Sequence, residues 1–340
     1  MIVIRPMKRS DQEALGDFPF ESLLGMVNLP RNPDKLLEKI IHSEQSFVKK
    51  VSKPTNEEYY FVLEDLTTGR VGGTCGILAH SGSTKKHNYK IKTYVNPYQH
   101  PDAPKEIKTL EVISCNQNAS EICALYLQPS FRHSGQGRLL SLSRFLFMAA
   151  FPERFREMIL AELRGYIDAS QVSPFWEGIG RHFCNLSFVE LMAKIEMNEE
   201  VPQILPAYPI YISLLPKDTQ EAIGKTHDSS KPAYRMLCQE NFTFLNEIDL
   251  YEGGPVLSCT ASKVRSIKDS ALIKVKTTHD TLVDDPEYIL ANEKLNFRAC
   301  FSSMRIISKS EALISQDALE ALQIKNGDKI RYVLPHEKIP

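Results

Sequence analysis

What this 340-residue sequence lacks restricts its function before any motif is read. Neither charge is in excess: 41 basic and 42 acidic side chains leave a formal net charge of −1. With the basic residues spread through the chain, nucleic acid is not expected as the principal partner. No apolar run approaches the ~20 residues that a spanning helix needs. The opening MIVIRPMKRS also has no charged head followed by an apolar signal core. No membrane association is therefore expected, and the cytoplasm is the expected location. The seven cysteines, Cys75, Cys115, Cys123, Cys184, Cys238, Cys259 and Cys300, are odd in number, scattered and never spaced as C-x-x-C. That is the pattern of reduced thiols, several of them core residues, and not of a disulfide frame. His and acidic residues show no ligand spacing such as H-E-x-x-H, so neither a metal nor a prosthetic group is expected.

What is present is a chain long enough to bury a large core and 42% hydrophobic, which implies two domains or one domain with an elaborate second lobe. Its most informative stretch runs from Glu121 to Phe151, EICALYLQPSFRHSGQGRLLSLSRFLFMAAF. Ile122 to Leu127 is a short apolar run closed by Pro129, the pattern of a strand buried on both faces. Arg132, Gly135 and Gly137 follow as R-x-x-G-x-G. Leu139, Leu142, Leu146 and Ala150 then recur at three- and four-residue spacing, as on a helix that packs one face on a sheet. Glycines in such a turn let amides face a ligand with no Cβ in the way, and with the positive end of the next helix they make an anion site. The third glycine of a Rossmann loop and the Gly-Lys-Ser/Thr of a Walker loop are both missing. The arrangement instead resembles the pyrophosphate loop of GCN5-related acyl-CoA N-acyltransferases. That resemblance implies coenzyme A as the ligand, held by the amides of Ser134, Gly135, Gln136, Gly137 and Arg138, with Arg132 or Arg138 adding charge.

Around this stretch the chain reads as α/β. Ile2 to Arg5 suits a first strand, and Ser10 and Asp11 can cap a helix over Gln12 to Leu15. A second helix is expected over about Asp34 to His42. Tyr59 to Glu64 and Val71 to Ala79 read as an antiparallel hairpin with its turn at Thr67 to Gly69. His80 to Pro104 is polar and reads as a surface excursion, with a strand near Ile107 to Ile113 after it. Met158 to Arg164 suits a buried strand and Pro174 to Phe183 a short amphipathic helix. Beyond Glu190 prolines punctuate a mostly helical stretch that includes Ala222 to His227 and Ala233 to Glu240, and from Phe244 the chain is strand-like. The expected fold is a GCN5-related N-acyltransferase-like mixed sheet flanked by helices, plus a C-terminal β-rich, barrel-like lobe. The expected domains are an acyl-CoA N-acyltransferase-like core over residues 1–190, a mostly helical segment over 191–245 that completes the active site, and the β-rich lobe over 246–340.

Taken in order, these pieces resemble the arginine N-succinyltransferase family across nearly the whole chain. The matching stretches are IRP at Ile4 to Pro6, FVLED at Phe61 to Asp65, Ser120 to Phe151, AELRGYID from Ala161, and SPFW ending at Trp176. PIY at Pro209 to Tyr211, IGKTH at Ile223 to His227, GGPVLSC at Gly253 to Cys259 and ANE at Ala291 to Glu293 follow. The resemblance implies transfer of a succinyl group from succinyl-CoA to the α-amine of arginine. By position it makes Leu125 a succinyl-CoA contact and His227 the catalytic proton donor. It also leaves a homodimer or a paralogous heteromer as the expected assembly.

The chemistry asks for particular groups. The amine must lose a proton, the tetrahedral oxyanion needs a donor such as a central-strand amide near Leu125 or Tyr126, and the departing thiolate benefits from a proton that His227 can supply. Covalent catalysis is not required, because orientation of amine and thioester supplies much of the rate. Cys123, in an apolar strand with no thiolate-stabilising neighbour, is not expected to act as a nucleophile. An arginine substrate needs a carboxylate against its guanidinium and a cation against its carboxylate, for which Glu121, Glu162, Arg164 and Glu293 are candidates, each equally readable as a structural salt bridge. Three departures from the family, FPFESLLGMVNLP at Phe18 to Pro30, SCNQNAS at Ser114 to Ser120, and Tyr208 before PIY, fall where an acceptor pocket could be lined. Ornithine is therefore an alternative acceptor. A different acyl-CoA N-acyltransferase and a non-catalytic acyl-CoA-binding protein are the readings from other classes.

Overall fold

Tyr59 to Leu63 and Cys75 to Ile77 contain side chains with almost no exposure, so the hairpin of the sequence lies inside a sheet covered on both faces. In the computed structural model, which describes residues 1–18, 29–81, 87–96, 105–115, 118–196 and 206–335, that sheet continues through the whole chain. Its strands are β1 (Ile2–Pro6), β2 (Glu58–Asp65), β3 (Arg70–Leu78), β4 (His87–Val95), β5 (Glu106–Ser114), β6 (Ala119–Leu127), β7 (Met158–Glu162) and β8 (Ile210–Tyr211). They continue with β9 (Thr243–Asp249), β10 (Pro255–Thr260), β11 (Ala271–Thr277), β12 (Glu287–Asn292), β13 (Ala299–Ile306), β14 (Glu311–Ile314) and β15 (Lys329–Val333). The order is β12-β15-β11-β14-β13-β1-β2-β3-β6-β7-β10-β9-β4-β5-β8, and a further β12 to β13 pairing closes the first five strands into a barrel. The C-terminal lobe is thus a closed barrel joined edge to edge with the N-terminal sheet through β13 and β1.

Helices cover the sheet where the apolar spacing directs them. They are α1 (Gln12–Gly16), α2 (Pro33–Val48), α3 (Gln136–Ala150), α4 (Pro174–Gly178), α5 (Phe188–Glu196), α6 (Lys217–Ala222) and α7 (Lys231–Gln239). Helix α2 begins where the Asn32 side chain accepts the amides of Asp34 and Lys35, at 3.0 and 3.1 Å, with Pro33 at the first turn. It runs past His42 to Val48 because Phe47 packs edge-on against Tyr59 and Phe61. Helix α3 is buried on most of its circumference. Its Phe147 touches Phe47 and Phe61, and also Phe297 from the barrel at 5.3 Å, so barrel and sheet share one core.

Two stretches differ from the sequence reading. Part of the polar segment His80 to Pro104 is strand β4, paired with β5 along its length and with β9 over Asn88 to Lys90, with Asn88 and Tyr89 buried. Its lysines hid the pattern: Lys90 lays its stem across the sheet and donates to the Leu245 carbonyl at 2.8 Å. Residues 82–86 and 97–104 of that segment lie outside the described residues. Helix α6 ends at Ala222; Ile223 and Gly224 form a turn, with Gly224 at φ 69° and the Lys225 N–H donating to the Ala222 carbonyl, and Thr226 then bridges to Gly165. Among the described residues, no helix is long and apolar enough to cross a membrane.

Candidate active site

The site begins where two parallel strands part. Strand β6 pairs with β7 only over Ala119 to Glu121 but stays paired with β3 to Leu127, so from Ile122 onward its β7-facing edge has no strand partner. The divergence coincides with a bulge: the β3 register shifts between Thr74 and Gly76, and Ala124 adopts φ 50°. A non-glycine residue in that region costs on the order of 1–3 kcal/mol and persists only where packing enforces it. Leu125 follows the bulge directly.

Past β6 the chain turns into α3 through the glycine loop. Ser134 and Gly135 have φ 48° and 75°, and Gly135 is the N-cap. Among the described residues, the amides of Ser134, Gly135 and Gly137 donate to no protein acceptor, as the orphan donors of a helix start. A Cβ on Gly135 would lie 3.4 Å from Phe301, so the barrel backs this loop. On Gly137 it would meet only Leu127, at 3.6 Å, so packing does not demand glycine there.

A cleft of about 910 Å³ gathers Leu125, Arg132, Gly135, Gln136, Gly137, Arg138, Arg164 and His227. Six of these span one strand–loop–helix unit, and Arg164 and His227 come from distant segments. Arg132 is fixed by donating from Nε to the Leu127 carbonyl at 2.9 Å. His227 is placed by its own backbone, whose N–H donates to the Arg164 carbonyl at 2.9 Å. Nearby, Lys225 lies 3.6 Å over the Tyr166 ring. The ring Nδ1 accepts the Ser229 N–H at 3.2 Å and lies 2.7 Å from Ser229 Oγ. That contact assigns Nδ1 as an acceptor and puts the proton of the neutral ring on Nε2. Burial, then the Arg164 guanidinium, push the imidazole pKa down, with Asp228 opposing.

A second cavity of about 200 Å³ adjoins the first at Leu125, Arg164, Ser230 and Ala233. It brings together Glu121, Glu162 and Arg164, and adds Arg144, Asp249 and Glu252, which the sequence reading did not single out. Asn88 of β4 donates to Glu162 Oε1 at 3.3 Å, so the supposed surface excursion reaches the site. The Glu252 carboxylate accepts the Gly165 N–H at 2.9 Å. A Cβ on Gly165 would sit 2.0 Å from the Glu252 carbonyl oxygen, which explains why glycine stands there. Burial, then Asp249, raise the Glu252 carboxyl to about 7 against the pull of Arg164. Cys123 lines the same cavity, and burial pushes its thiol far up, away from a nucleophilic thiolate. Glu293 lines neither cavity. It receives Arg331 Nε at 2.9 Å in the C-terminal lobe, as a structural salt bridge.

Sequence signals for the missed residues existed. Arg144 is the only charged residue between Arg138 and Glu153, on a helix otherwise apolar or small. Glu252 precedes the paired glycines Gly253 and Gly254. Among the described residues, no group of three or more His, Cys, Asp or Glu side chains is placed to hold a metal ion.

Comparison with known proteins places this geometry in a family. The family model described as the arginine N-succinyltransferase beta subunit matches residues 2–266, and that of the subunit's C-terminal domain matches 271–333. The arginine N-succinyltransferase of Shigella boydii serotype 4 is 35% identical over 338 residues, covering 98% of this chain and 97% of that protein. That of Escherichia coli strain 55989 is 33% identical over 336 residues with the same coverage. The solved structure of arginine/ornithine succinyltransferase subunit AI from Pseudomonas aeruginosa matches with a TM-score of 0.88 at 31% identity, covering 98% of each chain. With both lobes matched and the site residues on matching segments, the chain is an acyltransferase that belongs to the arginine N-succinyltransferase family.

Proposed function

We propose that this protein transfers a succinyl group from succinyl-CoA to the α-amine of L-arginine, the first step of arginine degradation by the succinyltransferase route. The observation that carries the reading is the joining of two unlike cavities. One is lined by the glycine loop and His227, and the other by carboxylates and two arginines. In this reading the CoA pyrophosphate rests on the amides of Ser134, Gly135 and Gly137, and Arg132 and Arg138 add charge at the same cleft. The pantetheine arm hydrogen-bonds along the unpartnered edge of β6 as an added strand would, which brings the thioester to Leu125.

The amine nitrogen attacks the thioester carbonyl, the C–N bond forms, and the C–S bond breaks with its electrons going to sulfur. Glu252, a carboxyl held at about 7, has the proton affinity to take the proton that the amine must shed. His227 is the proton donor to sulfur in a relay: its Nε2–H bonds the departing thiolate, and as that proton passes to sulfur the proton that Glu252 has taken from the amine replaces it on the ring, so the thiol leaves neutral and both side chains return to their starting states. Glu121 and Glu162 are the partners for the acceptor's guanidinium, and Arg164, at the junction of the cavities, for its α-carboxylate. The proposed setting is the cytoplasm, with the chain as a homodimer or a heteromer with a paralogue, a reading supported by the matching family being that of a beta subunit and the Pseudomonas relative being a subunit. Light scattering on the purified protein reads that assembly.

Ornithine is the second reading, because the Pseudomonas relative is described as acting on both amino acids. Thiol release with succinyl-CoA or acetyl-CoA, each against arginine, ornithine and lysine, tests the proposal. Release with succinyl-CoA and arginine supports it. Release only with another pair reassigns the substrate, and CoA binding with no turnover on any pair refutes it.

A further inference from the structure

Arg144 is 2% exposed, and its guanidinium has no carboxylate within ion-pair distance among the described residues. Its Nε donates to the Ser141 carbonyl and Nη2 to the Ser141 hydroxyl, both at 3.0 Å, while Nη1 reaches only weakly toward the Cys123 carbonyl at 3.5 Å. A buried guanidinium without an anion costs several kcal/mol, and this one lines the smaller cavity.

Its position selects the anion it would take. Arg144 lies ~12 Å down α3 from the loop end at ~1.5 Å per residue. The carbonyl it approaches belongs to Cys123, two residues back along β6 from Leu125, or ~7 Å at ~3.3 Å per residue. A thioester carbonyl at Leu125 whose chain continues in the direction of β6 away from the glycine loop therefore heads toward Arg144. The far carboxylate of a four-carbon dicarboxylic acyl group lies within that reach. The acceptor's carboxylate cannot serve as well, because one carbon separates it from the reacting amine, which keeps it at the junction. Arg164 lines both cavities there, whereas Arg144 lines only the inner one.

We propose that Arg144 is the specificity-determining residue for the acyl donor and pairs with the distal carboxylate of the succinyl group. This deepens the succinyl-CoA reading and rests on it. The donor binds without acceptor, so affinities of succinyl-CoA, succinamoyl-CoA, acetyl-CoA and CoA can be measured by calorimetry without turnover. The wild type should hold succinyl-CoA about 10- to 100-fold more tightly than its neutral amide isostere, as expected of hydrogen bonds between charged groups. Arg144→Gln should erase that ratio, leave CoA affinity within about twofold, and leave the preference for arginine over agmatine intact. Arg144→Lys should restore part of the donor ratio.

If Arg144→Gln does not fold, the wild-type comparison of succinyl-CoA with succinamoyl-CoA decides alone. No discrimination there overturns the proposal. An undiminished donor ratio in Arg144→Gln, or loss of the arginine-over-agmatine preference in its place, overturns the Arg144 assignment while wild-type succinyl transfer stands. A wild type that discriminates among donors in favour of acetyl-CoA overturns the succinyl-CoA reading and this assignment with it.

Discussion

Replacing Glu252 with glutamine should change how the stability of the protein depends on pH. Glu252 is 6% exposed, accepts the Gly165 N–H at 2.9 Å, and has its carboxyl raised from 4.5 to about 7, chiefly by burial. A carboxyl whose folded pKa exceeds its unfolded one binds more protons in the native state between those two values. Stability therefore falls as pH rises from about 4.5 to about 7, and the loss is complete a unit above. At ~1.4 kcal/mol per unit, the full loss is about 3 kcal/mol. Glutamine keeps an acceptor for the Gly165 amide and cannot ionise. Glu252→Gln should thus lie within about 1 kcal/mol of wild type near pH 5 and be about 3 kcal/mol more stable at pH 8. The assay is paired urea unfolding of variant and wild type from pH 5 to 8. A sheet fused to a barrel need not unfold in two states, so the readout is the difference between paired midpoints. A difference that is flat with pH, or that grows toward acid, would refute both the burial argument and the proton affinity assigned to this carboxyl.

His227→Ala should lower turnover about 10²- to 10⁴-fold, the usual loss of a general acid, with CoA affinity unchanged by calorimetry; equal losses in both would make the residue structural. Gly137→Val should raise the CoA dissociation constant more than about tenfold. Its melting temperature should hold, because the new Cβ meets only Leu127 at 3.6 Å. Undiminished affinity there would remove the phosphate reading of the loop. Glu293→Gln should leave KM for both substrates as it is and cost about 1 kcal/mol or less, as for a partly exposed ion pair. A selective rise in KM for the amino acid would put Glu293 back in the site.

The parts of the site that are contiguous in sequence were legible, and those assembled across the fold were not. Leu125 and the loop from Arg132 to Arg138 fall on one strand–turn–helix unit, where local periodicity and glycine spacing carry the information. They line one cleft together. His227 needed the family resemblance, because its placement depends on a bridge from Thr226 to Gly165 and on the Arg164 carbonyl, partners more than sixty residues away. The turn at Ile223 and Gly224 and the bridge at Thr226 replace the helix expected over Ala222 to His227. Strand β4 was hidden because it is polar by residue type while its buried atoms are lysine stems, Tyr89 and Asn88. Glu293 belongs to a motif that is structural: the adjacent Asn292 is fully buried and bonds the Leu322 carbonyl and the Arg298 amide, at 3.0 Å each.

The buried guanidiniums show how the chain separates structural charge from charge left for a ligand. Arg5 is closed off by Asp11 at 2.7 and 2.8 Å and by Glu64 at 2.5 Å, so its cost of burial is met inside the protein. Arg154 donates from Nη1 and Nη2 to the Ser46 and Lys49 carbonyls at the end of α2 and to the Tyr59 hydroxyl, which ties that helix to the sheet, while its buried Nε has no hydrogen-bond partner. Arg144 has one hydroxyl and two carbonyls, all on the side of its own helix and β6, and Arg164 has a buried Nε with no hydrogen-bond partner. Those two line the inner cavity, and a hydrophobic residue of similar volume would serve the core at less cost. Arg5 is thus closed by two carboxylates, whereas both cavity arginines face open space, and that open space is what the proposed function gives to anions that arrive with the substrates. In the proposed reaction one of these is the acceptor's carboxylate, at the junction where the amine reacts, and the other is the distal carboxylate of the acyl group, at the depth that a four-carbon chain reaches.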